Sequence, residues 1–449
     1  MIKIISIESF HQRYQIQRVI NCNKKKMYRT LIILLMLCLG KINLSAQKDY
    51  SLKVVKNEIK DLPQVHSYAN GIYDGKLLII GGRTGSPSSY INFDLILIDP
   101  EADKFWQKSI ETYALKPSFI EHLSSSNTAS IQIGNYLYIA GGLGYRVDQD
   151  AFGTLPYLTR IDIKKVCESI LYGSNNDDFI CQIENEIFAS MESSLLKSKD
   201  DFYLIGGFNM KGNFNKEGEL EIVQSDLKQY NAFTLNETEF SIELDMLDEI
   251  KYKEESSSSS IKAISYRLPN AKNGIVFIQN EEHITGTTPD WFKIESDHSI
   301  SIIQNQGKVP FSHAVTIPFY DNIDRKMYTY FLGGCNEFLC YEKQSYTNNT
   351  LNEVDVIVVN EDEEVSFQSE MIDELLLQGK DGIFIPVNQP SDGILELSSD
   401  ANPKLIGYIY GGSTAPSPMF YSDGTTVDSA LNQFFEVYIT KERIVNQKF

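Results

Sequence analysis

Five short apolar segments that each end in two adjacent glycines recur along this chain of 449 residues. Successive doublets stand 60, 65, 127 and 78 residues apart, and the value 127 is close to two periods. Residues 274–280 fit the missing place, with Gln279-Asn280 where the other copies have glycines. A recurring period of this length predicts a repeat fold, here with six copies of one unit. The doublets are Gly81-Gly82, Gly141-Gly142, Gly206-Gly207, Gly333-Gly334 and Gly411-Gly412.

Each repeat has the composition of several short strands. The residues before a doublet are aliphatic, aromatic or β-branched, which is typical of a buried strand. A similar segment lies upstream, as at 129–133, and another follows the polar loop, as at 94–99. Four strands per repeat predict an all-β fold, a six-bladed β-propeller of four-stranded blades. We expect the N-terminal segment 50–55 to pair beside 434–439, so that the N-terminal strand closes the last blade.

The first repeat also carries residues that point to a family. His66 precedes its doublet, and a further strand, the turn at Asp99-Pro100 and then Trp106 follow it. This order resembles the kelch motif, and the resemblance covers about residues 50–440, although later repeats lack the Trp. It implies that Trp106 and the ten doublet glycines serve the fold and carry no chemistry. It also implies that the loops after the doublets emerge together on one face.

The N-terminal region resembles an export signal. Three lysines at 24–26 precede the apolar run 31–39, and small or polar residues follow as far as Ala46. Nine apolar residues are too few to span a bilayer, which needs about 20. We therefore expect residues 1–46 to be a signal peptide and residues 47–449 to be the propeller. Translation from Met27 and a signal with a long N-terminal region are both compatible with this pattern. Either predicts a secreted protein, periplasmic or extracellular, with no membrane insertion after cleavage.

The charge of the chain argues against one class of partner. The formal net charge is −19, and residues 1–46 hold eight of the basic residues and one of the acidic ones. Cleavage therefore leaves a net charge of −26. Nucleic-acid binding depends on lysine and arginine neutralising phosphates, so this composition predicts no nucleic-acid partner.

Four cysteines follow the expected cleavage site, and in an oxidising compartment three disulfide connectivities are possible. The local spacings favour Cys335–Cys340, which flank four residues, and Cys167–Cys181, which flank a polar stretch. None of the spacings has the paired C-x-x-C form of structural zinc sites. We therefore expect disulfides, no metal and no cofactor.

The loops after the doublets are the candidate binding surface. Residues 83–93, 143–156, 208–218, 335–353 and 413–433 are rich in aromatic and small polar residues. Such loops on a rigid scaffold commonly carry recognition, and we expect a glycan or a protein as the ligand. Arg83, Tyr145 and Arg146 each follow their doublet within four residues, where an arginine can fork onto the carboxylate of an acidic sugar. Pairing of the arginines with acids such as Asp148 or Asp150 is the alternative. The candidate ligand-binding residues are Arg83, Tyr90, Tyr145, Arg146, Asn209, Glu337 and Tyr421.

An enzymatic function is the second hypothesis, with no assigned catalytic residue. The five histidines after the signal are scattered, and the paired tyrosine and histidine ligands of copper radical oxidases are absent from the sequence. Propellers resembling sialic-acid mutarotases need only a positioned acid and base to open a sugar ring. Arg83, Arg146, Glu192 and Glu337 are candidates for such an activity, of mutarotase or epimerase type.

Overall fold

The computed structural model describes most of the chain between Tyr50 and Lys441. The described ranges are 50–86, 89–147, 151–174, 178–214, 220–227, 231–239, 241–247, 259–267, 273–281, 290–294, 300–303, 315–332, 353–360, 362, 364–371, 383–387, 395–397, 403–412 and 432–441.

Nearly all regular structure in these ranges is strand. The strands are β1 (Tyr50–Asn57), β2 (Val65–His66), β3 (Ala69–Tyr73), β4 (Lys76–Ile80), β5 (Arg83–Ser86), β6 (Ser89–Ile91), β7 (Asp94–Asp99), β8 (Lys104–Ser109), β9 (Ala129–Ile133), β10 (Tyr136–Ala140), β11 (Leu143–Arg146), β12 (Ala151–Thr154), β13 (Tyr157–Asp162), β14 (Ile180–Glu184), β15 (Ser194–Ser198), β16 (Asp201–Ile205), β17 (Phe208–Phe214), β18 (Leu220–Leu227), β19 (Asn231–Glu237), β20 (Ile242–Met246), β21 (Ser259–Arg267), β22 (Asn273–Glu281), β23 (Asp290–Ile294), β24 (Ile300–Ile303), β25 (Val315–Asp321), β26 (Lys326–Leu332), β27 (Glu353–Val359), β28 (Val365–Met371), β29 (Ile383–Pro386), β30 (Leu395–Leu397), β31 (Lys404–Tyr410) and β32 (Phe434–Lys441). The helices are α1 (Pro117–Leu123) and α2 (Ile163–Tyr172), and short 3₁₀ turns lie at Ile110–Thr112 and Glu186–Phe188.

These strands form four-stranded antiparallel sheets in which neighbours follow one another along the chain. The sheets are β3-β4-β7-β8, β9-β10-β13-β14, β15-β16-β19-β20, β21-β22-β23-β24 and β25-β26-β27-β28, the last extended by β30 parallel to β25. The predicted all-β class, built from four-stranded sheets, is confirmed. The segment 274–280 lies within β22, the second strand of its sheet. Strands β4, β10 and β16, which lead into glycine doublets, hold that same second place.

The first and last described strands lie side by side. Strand β1 pairs antiparallel with β32 over its whole length, from Tyr50 opposite Lys441 to Asn57 opposite Phe434. Together with β29 and β31 these two strands make a further four-stranded sheet, in the order β1-β32-β31-β29. The pairing expected for residues 50–55 is therefore present, and the N-terminal segment supplies the outer strand of this sheet.

A buried cluster of charged and hydroxyl groups fastens this sheet to its neighbour. The Lys441 ammonium lies 2.9 Å from Asp321 Oδ2 and 2.8 Å from Asp324 Oδ2, at the turn between β25 and β26. The Tyr50 hydroxyl donates a hydrogen bond to Asp321, whose side chain is 1% exposed. Burial raises the pKa of Asp321, but the hydrogen bonds from Tyr50 and Lys441 outweigh it and hold that pKa below its usual value. Strands β1 and β32 thus both contact the same carboxylate.

Apolar residues of adjacent sheets pack into shared cores. Leu78 and Leu97 of one sheet pack in one cluster with Leu137 and Ile139 of the next. Trp106 on β8 is half-buried against this cluster. None of the described helices is both long enough and apolar enough to cross a membrane.

The sequence prediction of a Cys167–Cys181 disulfide is wrong. Both cysteines are free thiols. Cys167 lies on helix α2, which buries its thiol in the apolar cluster and so raises its pKa to about 12. Cys181 lies on β14, with its Sγ 3.6 Å from an Arg160 nitrogen. Cys335 and Cys340 lie outside the described residues.

The doublet glycines adopt backbone angles that other residues avoid. Both glycines have positive φ in each described doublet, namely Gly81-Gly82, Gly141-Gly142, Gly206-Gly207 and Gly411-Gly412. Gly141 has a φ of +63°, and a Cβ built on it would overlap the carbonyl oxygens of Ser190 and Phe188. Gly134, in a turn of the same sheet, has a similar φ of +57° but open space around it. Gly333-Gly334 lie outside the described residues.

Substituting these two glycines distinguishes the cost of a strained backbone conformation from the cost of steric overlap. We expect Gly134→Ala to cost about 1 kcal/mol, because only the left-handed conformation is penalised. Gly141→Ala should cost at least about 3 kcal/mol, because the new methyl group also overlaps backbone atoms that cannot move aside. Denaturant unfolding of the two variants measures the difference. Equal losses would contradict the role given to the doublet.

The ion pairs of Lys441 test whether buried charges stabilise the sheet that contains β1 and β32. Lys441→Met should lower the free energy of unfolding by about 3 kcal/mol, because it leaves the buried Asp321 carboxylate without its cation. Lys56→Met is the matched control on β1, since Lys56 pairs with Glu58 at 3.2 Å where both side chains are exposed. That change should cost less than about 1 kcal/mol. Similar losses in the two variants would show that the Lys441 cluster does not stabilise the sheet.

Candidate functional site

The glycine doublets join each sheet to the segment that leads into the next one. We call residues 65–68, 125–128 and 190–193 the lead-in segments, because they precede β3, β9 and β15. The Gly82 amide donates to the Ser125 carbonyl oxygen at 2.8 Å, and the Gly142 amide donates to Ser190 at 2.7 Å. These two doublets therefore contact the lead-in segments of the sheets that follow them.

The residue after each of these doublets pairs with the lead-in segment of its own repeat. Arg83 lies opposite His66, Leu143 opposite Ser126, and Phe208 opposite Met191, each in an antiparallel bridge. The three bridges are equivalent in position. Three repeats therefore build the same backbone arrangement with different side chains.

A second set of equivalent residues links the lead-in segments to one another. Ser67, Asn127 and Glu192 all have positive φ, at 55°, 54° and 59°. The backbone N–H of Asn127 donates to the backbone carbonyl of Ser67 at 2.9 Å, and the backbone N–H of Glu192 donates to the backbone carbonyl of Asn127 at 3.1 Å. We call these three residues the polar arc. Backbone hydrogen bonds link its three residues, which lie in the lead-in segments of three successive sheets. Their side chains carry a hydroxyl, an amide and a carboxylate group.

Polar contacts surround the arc. The Asn127 amide nitrogen lies 3.4 Å from Glu192 Oε1, and Glu192 is exposed. The Ser67 hydroxyl lies 2.9 Å from Nδ1 of His66. Arg83 is 8% exposed, and its Nε donates to the Ser126 hydroxyl at 3.1 Å. The first of the predicted binding residues, Arg83, thus lies beside the arc but inside the protein.

The loops after two doublets form a sheet of their own. Strands β11 and β12 make a hairpin, and β12 pairs with β17 of the next repeat, with Phe152 opposite Gly212. Strand β18 completes the sheet, which we call the platform sheet. The Thr154 hydroxyl donates to Asn209 Oδ1 at 2.6 Å across the two repeats. These loops are therefore held by hydrogen bonds instead of being independent segments.

Three predicted binding residues belong to the platform sheet. Tyr145 is half-buried and lies opposite Phe152 in the β11–β12 hairpin, and Asn209 bridges to Thr154. Arg146 is 12% exposed at its side chain, and one guanidinium nitrogen lies 3.8 Å from Glu184 Oε1. Pairing of Arg146 with an acid was one of the two expectations, although Asp148 and Asp150 lie outside the described residues.

The other predicted binding residues have no described side chain. Tyr90 lies on β6, and only its backbone is described. Glu337 and Tyr421 lie outside the described residues. Sequence reasoning proposed Glu192 only for the enzymatic alternative, and it missed Ser67 and Asn127. A signal for them exists, because the three arc residues have the same spacing as the first three doublets.

Helix α1 contacts the end of the β11 strand of the platform sheet through Glu121. The Glu121 carboxylate is buried, accepts the backbone amide of Val147 at 3.0 Å, and lies 3.4 Å from the Tyr157 hydroxyl. The neighbouring His122 donates from Nε2 to the Gly141 carbonyl at 2.9 Å. Its Nδ1 accepts the Thr159 hydroxyl at 2.5 Å. Full burial of this imidazole lowers the pKa of His122 to about 4, so the ring is neutral and structural.

Comparisons with known proteins give a distant structural likeness. No protein-family model matches the chain, and no curated protein matches it. A solved structure described as "Structure of YjhT" is similar over 85% of this chain and 99% of that one, with 12% sequence identity and a TM-score of 0.44. A likeness of this degree says nothing about a ligand or an activity.

The buried His122 predicts a pH dependence of stability. Its folded pKa of about 4 lies below the usual value of 6.5, so its contribution is complete above pH 6.5 and is lost as the pH falls toward 4. Between pH 7.5 and pH 5 the free energy of unfolding should fall by about 2 kcal/mol from this group alone, because the unfolded chain takes up the proton first.

His122→Gln removes the titrating group and should flatten this part of the profile, whatever its effect on absolute stability. Denaturant unfolding at the two pH values in both proteins measures the change. Parallel profiles would show that His122 does not titrate as described.

Proposed function

We propose that this chain is a secreted, kelch-type β-propeller with six blades that binds carbohydrate on the face formed by the polar arc and the platform sheet. The six-blade arrangement is supported by the four-stranded sheets that follow the sequence repeats, the degenerate copy included. Pairing of β1 with β32 supports closure of the ring by the N-terminal strand, since it combines the first and last described strands in one sheet. Secretion rests on the signal-like residues 1–46.

The observation that carries the proposed binding is the polar arc. A propeller needs the backbone hydrogen bonds of this arc to hold neighbouring sheets together, but it does not need particular side chains there. Ser67, Asn127 and Glu192 share one backbone conformation and differ in chemistry. Residues held in sparsely populated conformations cluster at binding and active sites. Their side chains are thus presented at fixed positions on a rigid frame.

Carbohydrate fits this surface better than a protein partner does. Glutamate is depleted at the cores of protein–protein interfaces, whereas this face carries the exposed Glu192. Sugars are bound by hydroxyl, amide and carboxylate groups together with aromatic rings, which offer apolar area beside a polar tip. Half-buried Tyr145 and Phe152 lie on the adjoining platform sheet. The two kinds of group needed for a sugar therefore occur on neighbouring elements.

A sugar mutarotase or epimerase is the second candidate, and the exposed Glu192 carboxylate beside the Asn127 amide favours it. Ring opening of a hemiacetal needs a base that accepts one proton and an acid that returns another. NMR measurement of anomeric exchange in free reducing sugars tests this activity directly. Catalysed exchange that Glu192→Gln abolishes would move the protein into the enzyme class.

A glycan array followed by titration tests the binding proposal. We expect Asn127→Gly to reduce affinity about tenfold, because it removes one amide hydrogen bond while glycine keeps the left-handed backbone. Lys199→Gly is the matched control, since Lys199 is exposed and has a φ of 58° in a turn of the β15–β16 hairpin. That variant should bind as the wild type does.

The double variant Tyr145→Ala and Arg146→Ala tests the platform sheet. It should lose binding while keeping a melting temperature within a few degrees of the wild type, because both side chains lie on a hairpin outside the main sheets. Unaltered binding by a folded double variant would remove the platform sheet from the site. Lost folding would assign these residues a structural role.

A further inference from the structure

The two arginines of the candidate site are both engaged within the protein. Arg83 is buried, and its Nε donates to Ser126. Arg146 is mostly buried and forms its ion pair with Glu184, whose side chain is 64% exposed. An arginine fork that binds the carboxylate of an acidic sugar must present its donors to the ligand. The structure holds these guanidinium groups against protein partners instead.

The polar arc itself presents a negative charge. Glu192 is exposed on the arc, and the whole chain has a formal net charge of −19. A ligand carboxylate bound beside Glu192 would meet a like charge at a few ångströms. In an exposed site this repulsion corresponds to about a three- to tenfold loss of affinity. The Glu192 carboxylate therefore disfavours an acidic ligand group at its own position on the arc.

The side chains of Asn127 and Glu192 are placed to bind two adjacent hydroxyl groups of one ligand. The Asn127 amide nitrogen and the Glu192 carboxylate oxygen lie 3.4 Å apart. A carboxylate accepts hydrogen bonds from two hydroxyl groups, and an amide both donates and accepts. Backbone hydrogen bonds hold the Cα atoms of these residues at a fixed separation. Little conformational entropy would be lost when the pair closes on a ligand.

We infer that the ligand is a neutral sugar bound through vicinal hydroxyl groups by Asn127 and Glu192, and that the Glu192 carboxylate excludes the corresponding acidic sugar. This inference rests on the proposed carbohydrate binding, and it replaces the acidic sugar that the arginines suggested from the sequence. It assigns two separate roles to Glu192, which are hydrogen-bond acceptor for the ligand and electrostatic filter.

Matched pairs of methyl glycosides test the inference, because each pair differs only at the sixth carbon, which is a hydroxymethyl group or a carboxylate. The pairs are methyl glucoside with methyl glucuronide, methyl galactoside with methyl galacturonide, and methyl mannoside with methyl mannuronide. Titration by saturation-transfer NMR gives the affinity ratio of each pair. For the wild type we expect at least one pair in which the neutral sugar binds about three- to tenfold more tightly. The ratio should narrow at 0.5 M salt, where exposed charges are screened.

Glu192→Gln keeps the size of the side chain and removes its charge. We expect the ratio in this variant to approach one and to lose its salt dependence, while the Lys199→Gly control keeps the wild-type values. A wild type that binds the acidic member equally or more tightly overturns the inference and leaves carbohydrate binding standing. If Glu192→Gln leaves the ratio of neutral-sugar to acidic-sugar affinity unchanged, the inference is likewise overturned and carbohydrate binding still stands. A wild type that binds none of these sugars, nor any glycan on the array, overturns both proposals.

Discussion

The contact on which the described architecture depends is the close approach of two backbones at each glycine doublet. The Gly142 amide reaches the Ser190 carbonyl only because no side chain separates the two segments. This contact brings each lead-in segment against the preceding sheet, and the hydrogen bond between Asn127 and Glu192 follows from it. A repeat fold distributes such contacts between neighbours. Because these interactions are made by the backbone, they place no requirement on the identity of the arc side chains.

The sequence allowed the four-stranded sheets to be predicted, but it did not allow the side-chain arrangement of the candidate site to be predicted. Periodic doublets predicted the four-stranded units, and the apolar pattern of 274–280 located a strand that lacks the glycine doublet. The same reasoning paired Cys167 with Cys181 across a polar stretch and missed the helix before that stretch, whose apolar residues occur at intervals of three and four. Spacing also placed Arg83 near the site without revealing that its side chain turns inward to Ser126.

The difference between these outcomes has a physical origin. Strand and turn preferences are local, so a single sequence contains them, whereas the direction of a long polar side chain depends on neighbours from another repeat. Asn127 and Glu192 carry no motif, and their importance arises from a left-handed backbone that the fold imposes on three dissimilar residues. Comparing equivalent positions across repeats is the sequence operation that would have detected them.

The pairing of β1 with β32 has a consequence for synthesis. Asn57 and Glu436 are hydrogen-bonded although 379 residues separate them along the chain, so the first strand to leave the ribosome finds its partner last. Until then β1 is an unsatisfied edge, the kind of segment on which aggregation begins. Its exposed Lys53 and Lys56 place charges on that edge, as natural sheets do to prevent such association. We expect these lysines to protect β1 from association during the interval before β32 pairs with it.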